Sequence, residues 1–182
     1  NQNGFVWGFN MSSKRASDYK NKYDGYVFNS KFSELNGGGF MGIERDWGYS
    51  HFIINKFTQK LGMIEGARDD TGAFIKAINN KGTMEEVVAT QNDFSSFTPQ
   101  IPYQYIQHTK YIWDNSVNGG GGKLKANIAY QRNQRQEFGN VLVPNEKSLY
   151  FDLGTLNYSI QYLFPEKNNW KHTIGVNGLS QQ

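Results

Sequence analysis

From Gly154 to Phe164, apolar and polar positions alternate, with Leu163 the one apolar residue on the polar side. Gly154, Leu156, Tyr158, Ile160, Tyr162 and Phe164 fall on one side, and Thr155, Asn157, Ser159 and Gln161 on the other. That is the period-2 signature of a strand with one apolar face. Segment 123–138 repeats it: Leu124, Ala126, Ile128 and Tyr130 share one side, and Lys123, Lys125, Asn127, Gln131 and Asn133 the other. Near the start, Phe5, Trp7, Phe9 and Met11 oppose Gly8, Asn10 and Ser12. Near the end, Trp170, Ile174 and Val176 oppose Lys171, Thr173 and Asn177. Alternation is weaker in 31–44 and 49–64, and a further β-candidate covers 104–117. The pattern predicts seven strands, at 5–17, 31–44, 49–64, 104–117, 123–138, 148–164 and 170–180. Most are longer than the roughly 5–6 residues usual in soluble sheets. They reach or pass the roughly 9–11 residues of a tilted strand that crosses a bilayer.

The connections add a second regularity. They run long, short, long, short, long, short. The short ones are Arg45-Asp46-Trp47-Gly48, 118–122 and 165–169; the long ones are 18–30, 65–103 and 139–147. Outer-membrane barrels have short periplasmic turns and long extracellular loops. On that reading Trp47, Tyr49, Tyr111, Trp113, Tyr158, Tyr162, Phe164 and Trp170 lie towards the periplasmic side, as a lower aromatic girdle. In the longest loop, Thr83-Met84-Glu85-Glu86 has capping-box spacing and predicts a short helix through Ala89.

Composition removes some objections and some alternatives. The mean hydropathy of −0.68 suits a barrel with a wet lumen, because only alternate residues face lipid. Aromatics at 15%, with 20 Gly and only 4 Pro, suit long paired strands. The 19 basic and 16 acidic residues give a net charge of +3. The basic ones are scattered, which argues against a nucleic-acid partner. With no cysteine, a disulfide framework and a thiolate metal site are excluded. Asn1-Gln2-Asn3-Gly4 has neither the charged nor the apolar region of a signal peptide, and both ends are expected to continue into a longer chain. Seven strands cannot close a bacterial single-chain barrel, which has an even number. The chain is therefore either a segment of a larger barrel or an eight-stranded barrel with one strand unrecognised.

Several stretches carry a resemblance. They are Ile101-Pro102-Tyr103-Gln104-Tyr105-Ile106-Gln107-His108-Thr109-Lys110, and Tyr130-Gln131-Arg132-Asn133-Gln134-Arg135-Gln136-Glu137-Phe138. A looser one is Gly39-Phe40-Met41-Gly42 followed by Tyr49-Ser50, Phe57 and Gly62. These resemble the barrel of TonB-dependent outer-membrane receptors, notably those of Bacteroidetes. The resemblance implies an all-β fold, an antiparallel meander of long strands that is a segment of a 22-stranded transmembrane β-barrel. Residues 1–182 would be a partial barrel domain, with the plug domain and remaining strands outside them. The whole protein would sit in the outer membrane of a Gram-negative bacterium. It would import a scarce nutrient such as a ferric siderophore, haem or cobalamin, with energy passed by TonB through the plug. Its partners would be outer-membrane lipid, TonB and a small-molecule ligand such as a metal chelate. Two other readings remain: a small outer-membrane barrel acting as channel or adhesin, and a soluble β-sandwich that binds carbohydrate on Trp and Tyr platforms.

Catalytic chemistry is hard to find. Asp70-Thr71-Gly72-Ala73 matches the aspartic-protease tetrapeptide but follows Arg68 and Asp69 instead of an apolar strand, so a polar turn is expected. Gly119–Gly122 before Lys123 lacks phosphate-loop spacing and reads as a hairpin turn. His51, His108 and His172 have no near partner for metal binding. No Ser-His-Asp or Cys-His set can be assembled, so the chain is read as no enzyme, with no cofactor. Arg132 and Arg135, near Glu137 at the outer end of a strand, are the candidate ligand-binding residues. They would take an anionic ferric chelate bidentately, or instead pair with Glu137 or a plug.

Overall fold

A computed structural model describes residues 4–182; the leader reading of Asn1-Gln2-Asn3 lies outside the described residues. The elements are β1 (Phe5–Ala16), β2 (Lys20–Asn21), β3 (Gly25–Tyr26), β4 (Phe32–Arg45), β5 (Gly48–Gly62), β6 (Ile75–Asn80), β7 (Thr83–Val88), α1 (Gln91–Ser95), β8 (Tyr103–Gly119), β9 (Gly122–Phe138), β10 (Leu149–Leu163) and β11 (Thr173–Gln181). Seven of them form one antiparallel sheet in the order β1-β4-β5-β8-β9-β10-β11. Each long strand thus pairs with the next long strand of the sequence, as an up-and-down meander. All seven predicted strands are present, with ends displaced by a few residues. Among the described residues β1 and β11 are not paired with each other, so the sheet is open.

Local chemistry sets the three tight turns. The β8–β9 hairpin turns on Gly120 and Gly121, with φ of +61° and +74°. Two left-handed residues make the type I′ turn that matches strand twist. The β10–β11 connection repeats the device with Asn168 and Asn169 at φ +53° and +63°, between the bridged pair Lys167 and Trp170. The last strand therefore starts at Thr173, not at Trp170. The β4–β5 hairpin turns on Asp46 and Trp47, with Arg45 opposite Gly48. Gly48 has φ +132°, and a Cβ there would lie 1.8 Å from the Ser116 carbonyl oxygen, so a side chain has no room.

The helix expected from Thr83 to Ala89 is a strand instead. Residues Thr83–Val88 pair with Ile75–Asn80 across a turn at Lys81 and Gly82, whose φ values are +52° and +93°. A left-handed Lys-Gly pair starts a hairpin, and Val87 and Val88 favour the extended form. The capping box sits one step later. Thr90 caps α1, its hydroxyl accepting from the Asp93 N–H while the Asp93 carboxylate accepts from the Thr90 N–H. A carboxylate one methylene shorter than the usual Glu fills the N3 position.

A small core lies at the long-loop end. Val27 and Phe28 from the first long connection pack with Phe74 and Ala89 from the second, with Phe94 against them. Hydrophobic side chains of the sheet itself are largely exposed.

Candidate functional site

The register of the six strand pairs fixes which side chains share a face. One transverse row carries Trp7, Met41, Phe52, Trp113, Ile128, Tyr158 and Gly178. The next row towards the loops carries Phe9, Gly39, Ile54, Tyr111, Tyr130, Leu156 and Ser180. On the turn side, Val117, Leu124, Tyr162 and Ile174 share a row. These rows make an apolar and aromatic band. From Leu156 to Tyr162 it extends about 20 Å along the strand, close to the roughly 25 Å apolar belt of membrane barrels. Trp7 is 65% exposed and Trp113 is 50% exposed, so no layer of the described chain covers the band. Beyond Phe9 and Leu156 the same face turns polar, with Lys56, Thr109 and Arg132 in one row and Thr58, Gln107, Gln134 and Asp152 in the next.

The opposite face is polar along most of its length. Lys14 pairs with Glu34 at 3.2 Å, and Asn36 donates to Glu34 at 2.6 Å. Arg135 and Gln104 both donate to Glu137, at 2.8 and 2.9 Å. Nearer the turns, His51 lies 3.1 Å from Glu44 and stacks on Tyr49, whose hydroxyl donates to Asp114 at 3.3 Å. Tyr49 therefore belongs to the polar face and leaves the expected girdle, whereas Tyr111, Trp113, Tyr158 and Tyr162 line the apolar face. Tyr111 sits at the loop-side margin of the band, away from the turns.

At the loop end, a buried polar network ties two connections together. Lys31, at the entrance to β4, is wholly buried. Its ammonium donates to the Asp93 carbonyl and lies 3.2 Å from Asp18 Oδ2, close enough for ion pairing but not aligned as a hydrogen bond. Asn29, at φ +61°, donates to the carbonyls of Met63, Gln100 and Pro102 and accepts from the Gln100 N–H. Burial disfavours charge on Asp93. Hydrogen bonds from Lys76 at 2.5 Å, Thr90 and Gln100 at 2.8 Å outweigh it and hold the carboxyl well below the usual carboxylate range. Arg68 anchors the far side, paired with Asp24 at 2.7 Å and stacked on Phe74 at 3.8 Å.

The two candidate arginines do not form one site. Arg132 lies on the apolar-banded face and Arg135 on the polar face, because their positions differ by an odd number along β9. Arg132 clasps Asp152 through two nitrogens, at 2.8 and 2.5 Å. Asp152 also accepts from Tyr150 and Gln134. Sequence reasoning could not find this partner, since the register of β9 against β10 is set across a long loop with no turn motif. Asp70-Thr71-Gly72-Ala73 is an exposed turn around the Asp69 carboxylate, which accepts from Thr71 and Ala73. Among the described residues no group of three or more His, Asp and Glu could hold a metal ion, and no helix is long and apolar enough to cross a membrane. No protein-family model, curated protein or solved structure matches the chain.

Proposed function

We propose that this chain is a stretch of wall in a transmembrane β-barrel of a Gram-negative outer membrane. It belongs to a 22-stranded receptor for TonB-energised uptake of a nutrient such as a ferric siderophore. The observation that carries the membrane reading is the division of one sheet into an exposed apolar band on one face and an ion-paired, polar opposite face. In water such a band would be an aggregation surface; in lipid it is the stable side of the wall. The short turns at one end and the long, internally packed loops at the other support the same orientation. The receptor part of the reading rests on the resemblance of Ile101–Lys110 and Tyr130–Phe138. A soluble sandwich would need a second sheet over the band, and a small closed barrel would need β1 and β11 joined. The open, uncovered sheet favours the segment over both. Of the two candidate arginines, Arg135 faces the side on which a chelate would pass.

The test is spin labelling of single cysteines, since the 182 residues contain none. In the intact protein reconstituted in bilayers, labels at Ile128, Tyr158 and Leu156 should be accessible to oxygen and shielded from a polar relaxation agent. Labels at Asn127 and Asn157 should behave oppositely. Equal accessibility at odd and even positions would sink the membrane reading. Loss of TonB-dependent growth on a ferric chelate, haem or cobalamin after deletion would support the uptake role. Unimpaired growth on all three would refute it.

A further inference from the structure

Past the apolar band towards the loops, cations stand on the banded face at two heights. Lys56 lies in the first row above Phe9 and Ile54, level with Met11 and Gly37. Arg15 and Lys60 share a higher row, with Ser33 of β4 between them. That row is roughly 13 Å further along the strand than Lys56, and Arg15 and Lys60 stand on backbones roughly 10 Å apart. The one described carboxylate on these strand positions, Asp152, is held by Arg132. Arg15, Lys56 and Lys60 form no ion pair with any described carboxylate. Arg15 lies over Phe97 at 4.8 Å and Lys60 over Tyr103 at 3.7 Å, which steadies both heads without neutralising them.

The row between the two heights holds neutral hydrogen-bonding groups, Ser13, Thr58 and Gln107. Two adjoining hollows follow the same division. One of about 410 Å³ lies against Lys56, Met11 and Gly37. The other, of about 280 Å³, lies against Arg15, Lys60 and Ser13. Leu35, Thr58 and Tyr105 border both, so the concave surface is continuous. Below Lys56, Gly37 and Gly39 leave β4 bare between Met11 and Phe9 on one side and Ile54 on the other. This trough opens into the apolar band.

We propose that this surface of β1, β4 and β5 binds a phosphorylated glycolipid of the lipopolysaccharide class. An acyl chain lies in the Gly37–Gly39 trough, and a phosphate on the glucosamine backbone meets Lys56. Sugar hydroxyls bond to Ser13, Thr58 and Gln107, and the carboxylates of the first acidic sugars meet Arg15 and Lys60. The inference rests on the membrane reading above, in which the long-loop end is extracellular and the leaflet there is lipopolysaccharide. The order of chemistries along the surface carries it: apolar, cationic, hydroxyl and amide, then cationic again. A phospholipid has its anion at one height and would leave the upper cations unmatched. A soluble anion would leave the trough empty. A neutral glycolipid would leave three cations unpaired at a membrane surface.

The test uses the intact protein in nanodiscs of dimyristoylphosphatidylcholine with a minor fraction of deep-rough lipopolysaccharide, which is lipid A bearing two acidic sugars. Retained lipid is counted by native mass spectrometry. The wild type should retain the glycolipid in preference to dimyristoylphosphatidylglycerol. K56Q and R15Q/K60Q should each lower retention, by about fivefold for each cation removed. Lipid A without the acidic sugars separates the two heights: K56Q should still lower its retention, and R15Q/K60Q should not. The control K110Q/K123Q/K125Q removes three cations from the polar face and should retain the glycolipid like the wild type. Equal retention of phosphatidylglycerol, an equal loss in the control, or an R15Q/K60Q loss that persists with lipid A alone overturns the proposal. A nitroxide at Ile128 separates the two ideas. Normal contact with acyl chains and no glycolipid preference defeats this site alone, whereas no acyl contact defeats it together with the membrane reading.

Discussion

At Lys31 a fully buried ammonium serves two connections at once. It meets the Asp18 carboxylate of one and the Asp93 carbonyl of the other. Removing one partner of a buried pair leaves the other charge stranded, at a cost of about 3–5 kcal/mol. Lys31→Met should therefore open the packed loops, seen as much faster protease cleavage within 63–102 while the strands stay protected. Cleavage at the wild-type rate would mean that the pair adds no stability. Asp93 supplies a pH dependence. Its carboxyl titrates below its ordinary value of 3.8, so the folded loops favour its charged form. The stabilisation is fully present above that ordinary value and is lost progressively as pH falls below it towards the folded value. Protection of α1 amides, taken relative to their intrinsic exchange rate at each pH, should fall on acidification below about pH 4, and Asp93→Asn should flatten that fall. An equally steep fall in the variant would assign the acid sensitivity to another group.

At the level of elements, the long strands were legible because period-2 alternation and turn chemistry agree. Gly154 to Phe164 is strand by pattern, and Gly119–Gly122 is a turn by composition. The β6–β7 hairpin was not legible in the same way. Thr83 and Glu86 satisfy a helix-start template, yet the left-handed Lys81-Gly82 pair and the ladder to Ile75–Asn80 decide the conformation. Tertiary pairing overrides a four-residue motif. The Asp18–Lys31–Asp93 network was invisible for a related reason, since it joins residues far apart in sequence that no periodicity links. The two candidate arginines were visible as charges, but their faces follow only from register. The β8–β9 turn offers a direct check. Gly120→Asn should be the milder change, because Asn tolerates φ above zero and its Cβ meets only the tip of the Tyr162 side chain at 2.9 Å, whereas Gly121→Val should cost about 1–2 kcal/mol. Urea-induced unfolding would measure both, and equal effects would argue against a type I′ turn.

On the scale of the whole molecule, the sheet has two unlike faces and two open edges. If the band faces lipid as proposed, Ile128→Arg places a charge in it and should destabilise the protein in a bilayer by about 2–4 kcal/mol. Asn127→Arg, one residue away on the polar face, should cost far less. Reversible folding into lipid vesicles distinguishes them, and similar losses would contradict the facing derived from register. A polypeptide of these residues alone exposes the ladder groups of β1 and β11. It should self-associate in detergent through its edges; a monodisperse monomer by light scattering would show that the edges are otherwise satisfied.

The buried lysine also bears on the order of assembly. Each pairing in the sheet joins strands that follow one another, so hairpins can form as soon as both arms exist. The clasp around Lys31 cannot. Lys31 precedes β4, whereas Asp93 arrives after β5 and the whole β6–β7 excursion, and the Asn29 bonds to Gln100 and Pro102 come later still. The loop end can thus close only after β5 and the β6–β7 excursion exist, and it ties together the ends of four strands of the sheet. A slipped β4–β5 or β5–β8 register would leave the ammonium without the Asp93 carbonyl, and the error would be marked by an accessible, protease-sensitive loop end.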